Sequence, residues 1–291
     1  MSKIYVLFNP LAGNKKCGAD VMCIEDMMNG ELIFCDMTKK ETYSRTLTQM
    51  GHDDILVVCG GDGTLNRFIN LPYNYAEKNR VFYFPLGSGN DFAHELGHTY
   101  GDKPFEITEY LRNLPEVTVN GQRHRFINGI GYGIDGYCCE VGDKLRETTD
   151  KKINYTAIAI KGLLFHYKPT GATVTVDGVK HRYKKVWLAP TMNGKFYGGG
   201  MMPTPNQERR SGKLSVMVFH NIGKLHALMI FPSIFKGEHV KHVKNIAVLE
   251  GRNITVEFDR PTPLQIDGET ILGVTSYKAE ATVAEKEAIA V

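Results

Sequence analysis

Apolar runs and helical patterns alternate through the first third of the chain. Stretches able to form helices occur at residues 64–71 and 90–96. Strands separated by helices predict right-handed crossovers and a parallel sheet. Because the strand segments are almost continuously apolar, we expect both faces of this sheet to be covered. The predicted strands, rich in β-branched and aromatic residues, are 3–8, 31–35, 54–59 and 80–85.

The pattern changes after about residue 115. Two helical segments, 137–145 and 155–167, precede a series of short alternating segments, and Asp-Gly pairs at 177–178 and 267–268 mark turns between them. This pattern predicts an antiparallel, β-sandwich-like domain. The predicted fold is therefore α/β plus β-rich, with domains 1–125 and 126–291. The alternating segments are 172–178, 184–190, 213–219, 245–250, 253–258 and 263–267.

Composition limits the partners and the cellular compartment that we expect for the protein. The chain has 291 residues, 42% hydrophobic and 23% charged, with a net charge of +3. That charge permits anionic partners such as nucleotides or acidic lipids without requiring them. Six cysteines without paired spacing argue against a zinc cage or a disulfide framework and favour the cytoplasm. No run reaches the roughly 18 to 20 apolar residues of a membrane span, and no nucleic-acid motif occurs.

Three of the predicted strands end in loops suited to phosphate. They are NPLAGNKK at 9–16, GGDGT at 60–64 and PLGSGND at 85–91. Glycines let backbone N–H groups approach a polyphosphate, and a following helix N-terminus favours negative charge. Because ligands bind beyond the carboxyl ends of parallel strands, the three loops predict one site. Lys15 and Lys16 would add positive charge there.

A single acidic residue, Asp62, lies among these glycines. Its carboxylate repels phosphate directly, so its position makes sense if a divalent cation lies between carboxylate and phosphate. The alternative is that the glycine-rich turns simply join strands to helices.

These loops resemble those of the diacylglycerol kinase catalytic family, which includes bacterial lipid kinases and sphingosine kinases. GGDGT is followed by PLGSGNDFA and preceded by NPLAG, and the later segments 198–216 and 264–269 agree with the same family. GGDG alone also occurs in NAD kinases and phosphofructokinases, whereas GSGNDFA favours the lipid kinases. The resemblance covers nearly the whole chain and implies a nucleotide-binding domain of the NAD kinase and diacylglycerol kinase type.

The resemblance implies a reaction and a set of site residues. An ATP-dependent lipid kinase would transfer the γ-phosphate to a lipid hydroxyl, with diacylglycerol as the first substrate to consider. Catalysis would involve Asp62 and Asp267, the latter as general base, and Asp62 and Asp91 would bind Mg²⁺. Without the resemblance, Asp267 reads as a hairpin residue, because Asp-Gly is a strong hairpin signal. The implied ATP-binding residues are Asn9, Gly60, Gly61, Gly63, Thr64, Gly87, Ser88 and Asn90.

The sequence departs from the family pattern at three positions. Arg67 lies where the family usually has Glu, and Asn120 lies where several bacterial members have Asp. Ser211 replaces an Asp that helps to hold a structural magnesium in the family. Two alternatives therefore stay open: a soluble-substrate kinase of the NAD kinase type, and a catalytically weak nucleotide- or lipid-binding homologue.

Two other motifs compete with this interpretation. HELGH at 94–98 matches the zinc-protease pattern, but Gly97 is predicted to end the helix before the second histidine. GYGIDG at 131–136 matches a dinucleotide-binding pattern, which requires a second strand ending in an acidic residue. The segment 146–164 that follows reads as helical instead.

A lipid kinase must reach its substrate at a membrane. The apolar segments 155–167 and 223–237, both flanked by Lys or His, could lie on a membrane surface or line an acyl-chain cleft. Ordinary core helices are the alternative. We therefore expect peripheral contact with the inner face of a membrane and leave a homodimer open.

Overall fold

The computed structural model describes residues 2–146, 148 and 155–282. The chain divides into two compact units, Met1–Leu114 and Pro115–Val291. The boundary predicted near residue 125 falls in the second unit, because the hairpin that ends there pairs with a late strand of that unit.

The first unit is built on a five-stranded sheet. Its spatial order is β2-β1-β3-β4-β5. The first four strands are parallel, as predicted, and the short fifth strand runs antiparallel to β4. The strands are β1 Lys3–Phe8, β2 Glu31–Asp36, β3 Ile55–Gly60, β4 Arg80–Pro85 and β5 Phe105–Glu106.

Helices follow the strands of this sheet and cover it. The central strand β3 is buried from Leu56 to Gly60, so side chains on both of its faces are covered. Short 3₁₀ segments lie at Val21–Asp26 and Tyr75–Glu77. The helices are α1 Ala12–Lys15, α2 Cys17–Asp20, α3 Lys40–Leu47, α4 Asp62–Ile69, α5 Asp91–Glu95 and α6 Thr108–Leu111.

The second unit is an antiparallel β structure, as predicted. Its main path is β13-β12-β11-β8-β14-β15-β6-β7, and β9 pairs with both β10 and β14. The strands are β6 Glu116–Val119, β7 Gln122–Arg125, β8 Gly129–Tyr132, β9 Thr170–Val176, β10 Val179–Val186, β11 Thr191–Met192, β12 Leu214–Phe219, β13 Ile246–Gly251, β14 Asn253–Ile266 and β15 Glu269–Glu280.

Helical segments pack against one part of this β structure. Their apolar residues join Trp187, Leu188 and Phe219 in one buried cluster, and the Trp187 indole donates to the Ile222 carbonyl at 3.0 Å. The α-helices are α7 Ile134–Arg146, α8 Tyr155–Lys161 and α9 Lys224–Ile230. A π-helical turn spans Gly162–His166, and 3₁₀ segments span Phe231–Lys236 and Glu238–Lys241.

One prediction for this unit is wrong. The alternating segments 253–258 and 263–267 were expected to be separate strands, but the structure joins them into the single strand β14. Pro261 and Pro263 have no N–H to donate, so the ladder is interrupted there without ending the strand. The pairing of β14 with β15 shifts register between Glu257 and Leu264.

Candidate functional site

Three loops lie side by side at the carboxyl edge of the parallel sheet in the first unit. The Asn9 amide, after β1, donates to the Cys59 carbonyl at 3.3 Å, and the Leu86 amide, after β4, donates to the Gly60 carbonyl at 2.8 Å. These backbone bonds bring together the loops that the sequence predicted to form one site.

The second and third loops touch through glycine. A Cβ atom placed on Gly87 would lie 2.1 Å from the Gly61 Cα, a distance too short for any side chain at this position. On Gly60, a Cβ atom would lie 2.3 Å from Oγ1 of the buried Thr64. These glycines are therefore required for the loops to pack. Gly63 differs, because it is exposed and no heavy atom lies within 4 Å of an added Cβ atom.

Asn90 closes the third loop on itself. Its backbone is left-handed, with φ of 51°. Its side-chain Oδ1 accepts from the Gly87 amide at 3.0 Å, and its Nδ2 donates to the Gly87 carbonyl at 2.9 Å. The side chain is buried. Asn90 thus shapes the loop and leaves Ser88 and Gly89 exposed.

Asp62 links the second loop to the helix after the third loop. Its Oδ2 accepts from the Asp91 amide at 2.9 Å, and its Oδ1 accepts from the Phe92 amide at 3.0 Å. A Cβ atom on Gly89 would lie 3.4 Å from Asp62 Oδ2 and 3.9 Å from Asp91 Oδ2. Both carboxylates therefore border the same small space beside Gly89.

This arrangement fits a magnesium ion that arrives with phosphate. Mg²⁺ commonly takes one or two carboxylates, with phosphate oxygens and water completing its shell. Asp62 and Asp91 supply such a pair. Across residues 2–146, 148 and 155–282, no group of three or more His, Cys, Asp or Glu side chains is placed to hold a metal ion by itself.

The first loop has an unusual backbone. Asn9 Oδ1 accepts from the Leu11 amide at 3.0 Å and so begins a turn. Within the short segment α1, Gly13, Asn14 and Lys15 all have positive φ, so α1 is not a regular right-handed helix. A Cβ atom on Gly13 would lie 2.4 Å from the Leu86 carbonyl oxygen. The side chains of Lys15 and Lys16 are exposed. The loop thus packs on the third loop and presents positive charge to solvent.

Asp267 belongs to the second unit, in the turn between β14 and β15. Its φ of 46° and the following Gly268 make it a hairpin residue, as the Asp-Gly pair predicts. Its Oδ2 accepts from the Ile127 amide at 2.6 Å, and its Oδ1 accepts from the amides of Asn128 and Gly129, both at 2.9 Å. Hydrogen bonds from backbone N–H groups stabilise a carboxylate anion. The turn therefore holds an oriented negative charge.

A buried polar network supports residues 127–129. Asn193 donates from Nδ2 to the Ile127 carbonyl at 2.9 Å and from its amide to the Asn128 carbonyl at 2.9 Å. Arg209 donates from Nη1 to the Ile127 carbonyl and from Nη2 to Asn128 Oδ1 at 2.7 Å. The sequence pattern does not reveal these residues, because the contacts join segments distant along the chain.

A buried carboxyl group lies at the start of α7. Asp135 accepts a hydrogen bond from the Tyr197 hydroxyl. Burial raises the pKa of Asp135 to about 7, and the bond from Tyr197 acts in the opposite direction. Asp135 lies within the GYGIDG motif, whose glycines allow close packing: a Cβ atom on Gly136 would lie 1.9 Å from the Pro263 carbonyl oxygen. The motif thus serves as a tight turn from β8 into α7.

The three residues that depart from the family pattern lie in different structural environments. Arg67 is exposed on α4. Asn120, with φ of 49°, precedes Gly121 in the β6–β7 turn, where Asn-Gly suits a tight hairpin. Ser211 is exposed, and its hydroxyl accepts from the Lys213 amide at 3.3 Å. With serine at this position and no group of three ligands in the described part of the chain, the residues do not fit the structural magnesium site that the resemblance implies.

The HELGH motif does not form a zinc-protease site. Helix α5 ends at Glu95, and Gly97 has φ of 82°. His98 therefore lies beyond the helix that carries His94. Its ring stacks on Phe105 with centroids 3.7 Å apart. Of the helical continuation predicted over 146–164, residues 147 and 149–154 lie outside the described residues.

A parallel sheet with glycine-rich loops, followed by an antiparallel β unit, is the architecture predicted from the sequence, and two family models match it. Residues 3–119 match the diacylglycerol kinase catalytic domain, and residues 128–284 match the YegS C-terminal NAD kinase beta sandwich-like domain. The chain belongs to the diacylglycerol kinase catalytic domain family with a YegS C-terminal domain.

Relatives resemble the chain over most of its length. It is 23% identical to "Putative lipid kinase YtlR" of Bacillus subtilis (strain 168), with 96% of each chain covered. It is 24% identical to "Diacylglycerol kinase" of Mycobacterium tuberculosis (strain ATCC 25618 / H37Rv), covering 88% of this chain and 85% of the relative. A crystal structure of a "putative diacylglycerol kinase" from Bacillus anthracis str. Sterne shares the fold, with a TM-score of 0.67 and 19% identity, covering 96% of this chain and 92% of that one.

Proposed function

We propose that this protein is an ATP-dependent lipid kinase that phosphorylates diacylglycerol to phosphatidic acid. The observation that carries the proposal is the Asp62 carboxylate, fixed by two backbone amides among glycine loops suited to phosphate. Membership of the diacylglycerol kinase catalytic domain family supports ATP as the phosphate donor. The name of the Mycobacterium tuberculosis relative supports diacylglycerol as the acceptor.

In the proposed phosphoryl transfer, one set of residues binds ATP and Mg²⁺, and another residue accepts the proton. Backbone N–H groups of the glycine loops bind the phosphates, and Asp62 and Asp91 hold Mg²⁺. When bound, the ion neutralises charge on the transferring phosphoryl group. Asp267 accepts the proton of the lipid hydroxyl as that oxygen attacks the γ-phosphorus, and the bond from the γ-phosphorus to the bridging oxygen breaks to release ADP. Three backbone hydrogen bonds hold its carboxylate in one orientation for this task.

The Gly63→Ala variant should change nucleotide binding and folding stability in opposite directions. Alanine should stabilise helix α4 by about 0.5–1 kcal/mol, because glycine is the poorer helix former and the added methyl group meets no atom. The same methyl group should hinder a phosphate that approaches the Gly63 backbone and weaken ATP binding. Thermal unfolding and calorimetric titration with ATP measure the two effects. A stabilised variant with unchanged ATP affinity would remove Gly63 from the proposed site.

A kinase with a lipid substrate must contact a membrane. One face of the second unit has exposed apolar side chains for such contact. Phe165, Leu225 and Met229 are 71%, 76% and 72% exposed. Lys224 Nζ donates to the Leu164 carbonyl at 3.0 Å, which joins α9 to the π-helical turn. Neither 155–169 nor 222–236 contains an acidic residue, whereas each contains two lysines. Apolar side chains among cations suit an anionic membrane surface, here the inner face. Among the described residues, no helix meets the length and hydropathy of a membrane span.

Substitutions on this face should weaken membrane binding. Inserting a Phe or Leu side chain into lipid contributes about 1.5–3 kcal/mol. Phe165→Ser and Leu225→Ser should each reduce binding to anionic vesicles about tenfold or more. Val179→Ser is the matched control, because Val179 is 60% exposed on β10, outside this face. Vesicle flotation measures the effect, and equal loss in all three variants would contradict the assignment.

The proposed activity is tested with γ-labelled ATP and a total membrane lipid extract in mixed micelles. We expect label in phosphatidic acid, dependent on Mg²⁺. NAD supplied in place of lipid tests a soluble-substrate kinase of the NAD kinase type. Label in NAD and none in lipid would overturn the lipid assignment. ATP binding without transfer to either acceptor would indicate a catalytically weak homologue.

A further inference from the structure

Residues Ile127–Gly129 carry hydrogen bonds on two sides. Their N–H groups donate to the Asp267 carboxylate. The Ile127 carbonyl and the Asn128 side chain accept from the Arg209 guanidinium. Asn128 is 2% exposed, so this segment lies in the interior of the second unit. A cation and an anion therefore bind the same short piece of backbone.

One peptide group lies directly between the two charges. The Ile127 carbonyl oxygen accepts from Arg209, and the Asn128 N–H of the same peptide bond donates to Asp267 Oδ1 at 2.9 Å. A cation at the oxygen and an anion at the N–H both polarise the peptide in the same sense, so each hydrogen bond strengthens the other. Arg209 thus acts on Asp267 through the backbone.

The loop that carries Arg209 is itself fixed. Gln207 is 1% exposed, and its Nε2 donates to the Lys213 carbonyl at 2.9 Å. The Ser215 hydroxyl donates to Gln207 Oε1 at 2.6 Å. These bonds tie the loop to the start of β12. The buried Gln207 amide thus anchors the loop from which the Arg209 guanidinium reaches residues 127 and 128.

We propose that Arg209 is a positioning residue for Asp267 and supplies the fixed positive charge that the family obtains from a structural magnesium ion. Ser211, where the family pattern has Asp, offers no carboxylate to such an ion, and a guanidinium bound to this backbone segment needs none. The second unit should therefore fold and orient Asp267 without a divalent cation. The catalytic part of this inference rests on the proposed lipid kinase function, whereas the structural part does not.

The test compares Arg209→Gln and Arg209→Lys with the charge-matched control Arg210→Gln, whose arginine is exposed. Without nucleotide, the melting temperature of the wild type should be the same in EDTA and in Mg²⁺. Arg209→Gln should melt at a lower temperature, Arg209→Lys should lie between it and the wild type, and Arg210→Gln should match the wild type.

Kinetics separate positioning from general loss of structure. The kcat of Arg209→Gln should fall about 10- to 100-fold, as for loss of a residue that orients a metal ligand, while the Kd for ATP stays unchanged. The acid limb of its kcat–pH profile should move to higher pH, because losing a nearby cation disfavours the carboxylate anion. Arg209→Lys should restore part of that shift.

Two results would overturn the inference. One is a wild-type melting temperature that EDTA lowers and Mg²⁺ restores. The other is an Arg209→Gln variant with unchanged stability, kcat and pH profile. If no variant phosphorylates lipid, the proposed function fails, and the melting temperatures still decide whether Arg209 replaces the ion.

Discussion

Asp267→Asn should reduce turnover by about 10²- to 10⁴-fold, the usual contribution of a general base, while the Kd for ATP stays nearly unchanged. Asparagine cannot accept the proton of the lipid hydroxyl. It also disturbs the turn, because its NH₂ group must face one of the amides that donate to Asp267. Burying such mismatched donors costs about 1–3 kcal/mol. Single-turnover kinetics and ATP titration measure the two quantities separately.

The chain contains a matched control for this change. Asp177 also precedes glycine in a hairpin, with the same φ of 46°. Its carboxylate accepts from the amides of Arg252 and Asn253, and the hydrogen bond from Asn253 lowers its pKa. Asp177→Asn should lower the melting temperature and leave turnover intact. Equal turnover in the two variants would mean that Asp267 serves only the hairpin.

Asp62→Asn is the second large effect that we expect. The substitution removes one of two carboxylates beside Gly89, so binding of Mg²⁺ with ATP should weaken and turnover should fall about 10²- to 10³-fold, as for loss of other electrostatic stabilisers. Raising the Mg²⁺ concentration should recover part of the activity. A Mg²⁺ titration of kcat and of the Kd for ATP measures this.

Asp54 provides the control for Asp62. Its two oxygens also accept backbone amides, from Lys3 and Gly51, both at 2.8 Å. It precedes β3, whereas Asp62 follows that strand, so it lies at the opposite edge of the sheet. Asp54→Asn should therefore cost stability without changing the Mg²⁺ dependence. If the two variants respond alike to Mg²⁺, the role of Asp62 is structural.

The sequence predicts the first unit better than the second. Strands β1, β3 and β4 are apolar runs of high β-propensity, so their pattern alone places them. Strand β15 was missed because only three of its twelve residues, Val274, Tyr277 and Ala279, are buried and polar residues separate them. The β6–β7 hairpin was missed because β7, with sequence QRHR, has no apolar residue. Because Pro261 and Pro263 interrupt the alternating pattern, the sequence predicts two strands where the structure has the single strand β14.

Some features of the candidate site also follow from the sequence, whereas others do not. Glycine spacing predicts the three loops at the carboxyl edge of the sheet, because close approach of two backbones permits few other residues. The supporting contacts do not follow from spacing: residues 127–129 are far from Asp267 along the chain, and only pairing of β14 with β8 brings them together. Asn90, which the resemblance places around ATP, has a buried side chain that bonds to Gly87 and shapes the third loop.

The continuous strand β14 also affects how the second unit unfolds. Its first part pairs with β9 over Ile254–Phe258, and its last part pairs with β8 over Leu264–Ile266. Since one covalent strand belongs to both ladders, neither ladder can separate without pulling on the other. Disruption near β9 is thus transmitted to the turn that carries Asp267, and we expect the two ladders to melt in a single cooperative transition.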